Sequence, residues 1–160
     1  LRDLAAGKRI NAAITANTAP IEHIEKDFAI HMEAEAASFG RKLDWNKPSP
    51  EDVNPLDAAS FAEFLKKNPT NQWALLKSAD DLLEAKDWQK AAEVGQKLID
   101  LMPEDTSKNS GYIIKAKALR QMNQPDQEAE LLRSFAARAA DAMPVFLRLI
   151  EIDSKAALGP

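Results

Sequence analysis

Apolar positions recur along most of this chain at spacings of three and four, the period of an α-helix, and the polar breaks between them are short. Leu1, Leu4, Ala5, Ile10, Ala13 and Ile14 follow that spacing; Gly7 weakens this helix without having to break it. Thr18-Ala19-Pro20 punctuates, with Pro20 near the start of the next helix. Ile21, Ile24, Phe28, Met32 and Ala36 then mark one apolar stripe that ends near Gly40. The pattern predicts an N-terminal helical pair over 1–40.

Pro48, Pro50 and Pro55 follow closely, and proline removes a backbone donor and restricts its predecessor. The stretch 41–55 therefore reads as an extended linker. A short helix is expected from about Leu56 to Lys67, with Phe61, Phe64 and Leu65 inward and Asn68-Pro69 as its stop. The rest falls into helix pairs. The first comprises Asn71–Ala85 and Trp88–Leu101. The second comprises Ser107–Met122 and Asp126–Asp141, separated by Asn123-Gln124-Pro125. A last helix from Pro144 to Ala157 reads as the first half of a third pair. The expected organisation is thus an all-α chain of helix hairpins over 56–160, with units 71–105, 106–141 and a partial 142–160. An unpaired last helix would leave Val145, Phe146, Leu149 and Ile152 uncovered, a face suited to self-association.

Composition agrees with helix, since alanine is abundant and only 5 glycines occur. The net charge of −4 with scattered Lys and Arg argues against nucleic acid as a partner. No uncharged run approaches the roughly 18 residues that would span a bilayer, so no membrane insertion is expected. The absence of cysteine excludes thiol chemistry and leaves the compartment open. The chain opens at Leu1 rather than Met, which reads as a piece of a longer protein.

The pairs repeat one another. Ala79 aligns with Ala116 and Ala91 with Ala129; Leu75 and Tyr112 hold the large position before the first small one, Leu82 and Leu119 the one after. Small residues there let two helices approach, and large ones fill the groove beside them. Leu75, Ala79, Trp88, Ala91 and Pro103 in this spacing resemble the tetratricopeptide repeat. In the second unit Tyr112, Ala116, Leu119 and Ala129 match. There the alignment sets one extra residue in the turn, Asp126 in the place of Trp88, and Pro144 late. The resemblance implies antiparallel hairpins stacked as a short solenoid, whose A helices line a concave binding side. On that reading the face comprises Leu76, Asp80, Leu83 and Glu84 from the first unit and Ile113, Lys117, Arg120 and Gln121 from the second. Some members of the family clamp a C-terminal carboxylate with Lys and Asn; Leu76 and Asp80 stand at those positions here, so that use is not implied.

Leu4-Ala5-Ala6-Gly7-Lys8-Arg9-Ile10-Asn11-Ala12-Ala13, followed by Ala19-Pro20-Ile21-Glu22 and Glu25-Lys26-Asp27-Phe28, is similar to the closing helices of gluzincin metallopeptidases of the peptidase MA class. The signature His-Glu-x-x-His is absent, so that kinship implies a catalytic helix upstream and an accessory role for these residues.

Within the chain no catalytic, cofactor or metal site is expected. His23 and His31 are eight apart, about 12 Å along a helix, and with Asp27 between them read as a polar surface stripe or a loose two-ligand His–Asp site. Asp80-Asp81 and Glu33 with Glu35 read as solvated faces. Trp88 is expected in the core, Trp73 partly exposed, and Trp45 as a loop anchor or a docking residue. Residues 71–105 carry 4 Lys against 8 acidic residues, whereas 106–141 carry 6 basic against 4 acidic. This asymmetry suits an amphiphilic peptide or a neighbouring domain. Two functions remain open: a non-catalytic protein-protein interaction or scaffold module, and the accessory C-terminal region of a zinc metallopeptidase.

Overall fold

The computed structural model describes residues 2–54 and 57–158, the last by its backbone alone. Leu1, Pro55 and Leu56, which the sequence pattern enlists, lie outside the described residues. Every regular element among those described is a helix. The chain divides into two units, Leu1–Phe39 and Gly40–Pro160.

The first unit holds three helices rather than two: α1 (Arg2–Ala5), α2 (Ile10–Asn17) and α3 (Ile21–Ser38). Gly7 does break the expected first helix. It turns to φ +77°, a left-handed conformation that glycine adopts without penalty, and the Lys8 N–H closes back on the Asp3 carbonyl. Asp3 then accepts from Asn17 at 2.7 Å and pairs with Lys8 at 2.9 Å. The hydrogen bonds from Lys8 and then Asn17 hold its carboxyl below the usual range. Along α3 the expected stripe is largely uncovered: Ile21 and Ile24 are half-buried, while Phe28 and Met32 are exposed.

The second unit carries α4 (Ala58–Lys67), α5 (Gln72–Glu84), α6 (Trp88–Leu101), α7 (Gly111–Gln121), α8 (Pro125–Ala136) and α9 (Met143–Leu158). From α4 onward each helix packs on the next, most extensively α6 on α7. The proline-containing stretch is held down, with Leu43 and Val53 buried. Asp44 forms an isolated bridge with Asn71, whose buried side chain donates to Asp44 Oδ2 and to the Asn46 carbonyl, both at 2.8 Å, and accepts the Ala74 N–H as the cap of α5. Hydrogen bonds from Asn71 and Asn46 hold the Asp44 carboxyl below its usual range.

The small positions of the sequence pattern all lie in the interior: Ala79, Ala91, Ala116 and Ala129 are buried, as are Leu75, Tyr112 and Leu119. Helix ends differ. α7 starts at Gly111 rather than near Ser107, because Asp105 accepts the Ser107 N–H and the Ser110 N–H turns back to Ser107. α8 stops at Ala136, where the N–H groups of Arg138 and Ala139 both turn to the Phe135 carbonyl. α9 buries Val145, Leu149 and Ile152 against α7 and α8; its uncovered stripe is Met143, Phe146, Leu147 and Ile150. Of the four residues expected bare there, Phe146 alone is.

Two turns set the hairpins. After α5, Lys86 takes φ +60°, its N–H bonds the Leu83 carbonyl, and the Asp87 N–H bonds Leu82. After α7, Asn123 takes φ +56°, its N–H bonds Arg120, and the Gln124 N–H bonds Leu119. Each is a Schellman closure, and each spans the same number of residues. The second turn therefore contains no extra residue. Trp88 corresponds to Pro125, not Asp126, and Ala91 corresponds to Glu128, not Ala129. Proline opens α8 well because the first helical N–H needs no partner there.

Candidate interaction groove

The corrected register puts a carboxylate where the first hairpin has a methyl group. Glu128 lies on the inner side of α8 with no exposed surface. Arg148 of α9 grips it bidentately, Nε to Oε1 at 2.8 Å and Nη2 to Oε2 at 2.7 Å. Arg120 of α7 donates from Nε to Oε1 at 2.9 Å and pairs there again through Nη2. The remaining edge of Arg148 goes to Glu151, at 2.9 Å. Burial pushes the Glu128 carboxyl up; the hydrogen bonds from Arg148 and Arg120, together with their charges, outweigh it, and its pKa lies below the usual value. The same carboxylate raises Arg148 further above its ordinary value. Three helices are tied at one point.

The two arginines are used differently. The Arg148 side chain is 18% exposed, and its guanidinium is taken up by Glu128 and Glu151. The Arg120 side chain is 45% exposed, and its Nη1 has no partner among the described residues. Lys117, one turn earlier on the same face of α7, is exposed and likewise without a carboxylate.

Two hollows flank this Lys117–Arg120 ridge. One, of about 360 Å³, is walled by Leu83, Glu84, Trp88 and Gln121. The other, of about 320 Å³, lies towards α9 and is walled by Ile113, Pro144, Leu147 and Arg148 among others. Six of the eight residues expected on the binding face, Leu83, Glu84, Ile113, Lys117, Arg120 and Gln121, thus border one continuous strip. Leu76 and Asp80 border neither hollow: Leu76 packs on the core around Leu75 and Leu98, and Asp80 is exposed further along α5.

No known protein family, curated protein or solved structure matches the chain.

The tryptophans take three roles. Trp88 is half-buried rather than fully in the core, with one side on Ala91, Ala92 and Ala118 and the other facing the hollow. Trp73 stands edge-on to Phe61 at 6.1 Å. Trp45 is half-exposed and donates from Nε1 to the Gly40 carbonyl at 3.2 Å. Among the described residues no group of three His, Cys, Asp or Glu side chains could hold a metal ion; His23, Asp27 and His31 are all exposed on α3. Among the described residues no helix is long and apolar enough to cross a membrane.

What sequence reading missed was Glu128 and, with it, Arg148. The signal was available. Holding both turns to one length moves a charged residue onto a buried small position, and a buried carboxylate demands cationic partners.

Proposed function

We propose that the second unit is a protein-protein interaction module of the tetratricopeptide kind, a short stack of hairpins that receives a peptide or a neighbouring domain along α7. The observation that supports this is the strip itself: exposed cations and apolar walls run together along α7, and Glu128 anchors one of those cations from beneath. The two hairpins with equal Schellman turns, and the buried alanines at 79 and 116, support the repeat character. An interaction site is well served by side chains fixed in advance, because ordering them is then not charged against binding.

The test is selection from an unbiased display library of dodecapeptides on the intact chain, followed by counter-measurement on Leu83→Glu. Peptides that bind the chain and lose affinity at least tenfold for L83E support the reading. Selected peptides that bind L83E equally well, or a library that yields no binder, count against it.

A further inference from the structure

Resting on that reading, we infer that the ligand of this strip is an acidic peptide segment, in which one Asp or Glu stands a residue or two from bulky apolar side chains on both sides. Three observations converge. Lys117 Nζ and Arg120 Nη1 are two adjacent donors on one turn of α7 without a carboxylate among the described residues. Arg120 is not a loose surface side chain: its Nε hydrogen-bonds Glu128 Oε1 and its Nη2 pairs with the same oxygen, and Glu128 itself has no exposed surface. A guanidinium so held presents its free edge in one orientation, which suits the planar geometry of a carboxylate. Finally, the ridge lies between two mainly apolar hollows, walled by Leu83 and Trp88 on one side and by Ile113 and Leu147 on the other.

A segment laid across the ridge would set its carboxylate on Lys117 and Arg120 and one apolar side chain in each hollow. Charge decides against the alternatives. A basic peptide would meet both cations, and a neutral apolar one would leave Arg120 Nη1 desolvated without a partner, a loss that the same apolar contacts must offset. Glu84 in one hollow and Glu151 in the other disfavour a second acidic residue on either side of the ridge. Nothing in this arrangement calls for a free C-terminus; the recognised carboxylate belongs to a side chain.

The experiment uses three pools of nonapeptides, acetylated and amidated so that they carry no terminal charge. The first has Glu at the centre with Leu or Phe two residues either side. The second has Gln for that Glu, and the third has Lys. Each is titrated into the isotopically labelled chain while the backbone amides and the Trp88 indole are followed. The expected result is saturable shifts at Leu83, Trp88, Lys117, Arg120 and Leu147 with the Glu pool. Affinity should be about tenfold weaker with the Gln pool and about tenfold weaker on Lys117→Glu, with the loss shrinking as salt rises. Lys117 is exposed and forms no ion pair among the described residues, so K117E should leave the helical spectrum unchanged; it and Arg120→Gln are both read beside that spectrum. Equal binding of the Gln pool at the same amides overturns the acidic inference while the interaction reading stands. No binding by any pool overturns the inference, and the library selection then decides the module reading separately. Displacement of the Glu pool by an oligothymidylate at equal charge would also overturn it in favour of a nucleic-acid ligand.

Discussion

Gly95 lies against Gly111 where α6 crosses α7, and neither position has room for a methyl group. A Cβ at Gly95 would stand 2.9 Å from both the Lys115 Cβ and its backbone nitrogen, and one at Gly111 would press the Gly95 carbonyl and the Ile99 nitrogen. In an open helix Gly→Ala gains about 1 kcal/mol. Here the clash is with backbone, and overpacking of this kind costs about 1–3 kcal/mol. Gly95→Ala and Gly111→Ala are therefore expected to lower stability, with Gly111→Ala the worse. Denaturant unfolding measures both; a stabilising alanine at either position would contradict the close crossing.

Glu128→Ala strands two arginines at the junction of three helices. Removing one partner of a buried pair costs about 3–5 kcal/mol; the exposure of Arg120 places the expected loss at the low end of that range. Because alanine already serves at the matching position of the first hairpin, Glu128→Ala combined with Arg148→Leu should recover much of the loss. A double-mutant cycle by thermal unfolding reads the coupling.

The same carboxylate sets a pH dependence. Its folded pKa lies below the unfolded value, so the stabilisation is present above the ordinary glutamate pKa and is lost as pH falls through the folded one. Stability measured downwards from about pH 5 should fall more steeply in the native chain than in Glu128→Gln. Parallel slopes would mean that Glu128 is not held ionised by Arg148 and Arg120.

Tyr112 closes the α6–α7 loop. Its hydroxyl donates to the Pro103 carbonyl at 3.0 Å and accepts from Arg138 at 2.6 Å, and its ring meets Phe135 edge-on at 6.0 Å. Tyr112→Phe keeps the ring and removes both hydrogen bonds, an expected cost of about 1–2 kcal/mol. Amide exchange should quicken in the loop 102–110 before it does in α8.

Much of this second unit was legible in the sequence because its rules are local. Alanine at 79 and 116 and large residues at 75 and 112 report the crossing of paired helices, and all four are buried. Six of the eight expected face residues also border the strip: on α7, Ile113, Lys117, Arg120 and Gln121 are spaced three or four apart and so share one side of the helix. The failures are non-local. Matching Ala91 to Ala129 by identity slipped the register by one and hid Glu128, whose partners lie on other helices. Gly95 and Gly111 are sixteen residues apart, and no local pattern shows that they meet. The first unit misled for the opposite reason: an apolar stripe on α3 predicts burial, yet a stripe says nothing about whether a surface is there to cover it.

Lys86 and Asn123 share a left-handed backbone, which an asparagine tolerates better than a lysine. Lys86→Gly should relieve that strain and raise stability by up to about 1 kcal/mol, after the greater freedom of glycine in the unfolded chain is subtracted. Asn123→Gly should change it little. Chemical denaturation of the two variants side by side gives the difference, and an equal response would sink the explanation.

The two closures also mean that the likeness of the two turns is recorded in the sign of a torsion angle, where residues 83–88 and 120–125 share no letter of the alphabet. Residues 86 and 123 should therefore accept and reject the same substitutions in a saturation screen. Glycine and asparagine would be tolerated, valine and isoleucine purged, and the two profiles would rise and fall together thirty-seven positions apart.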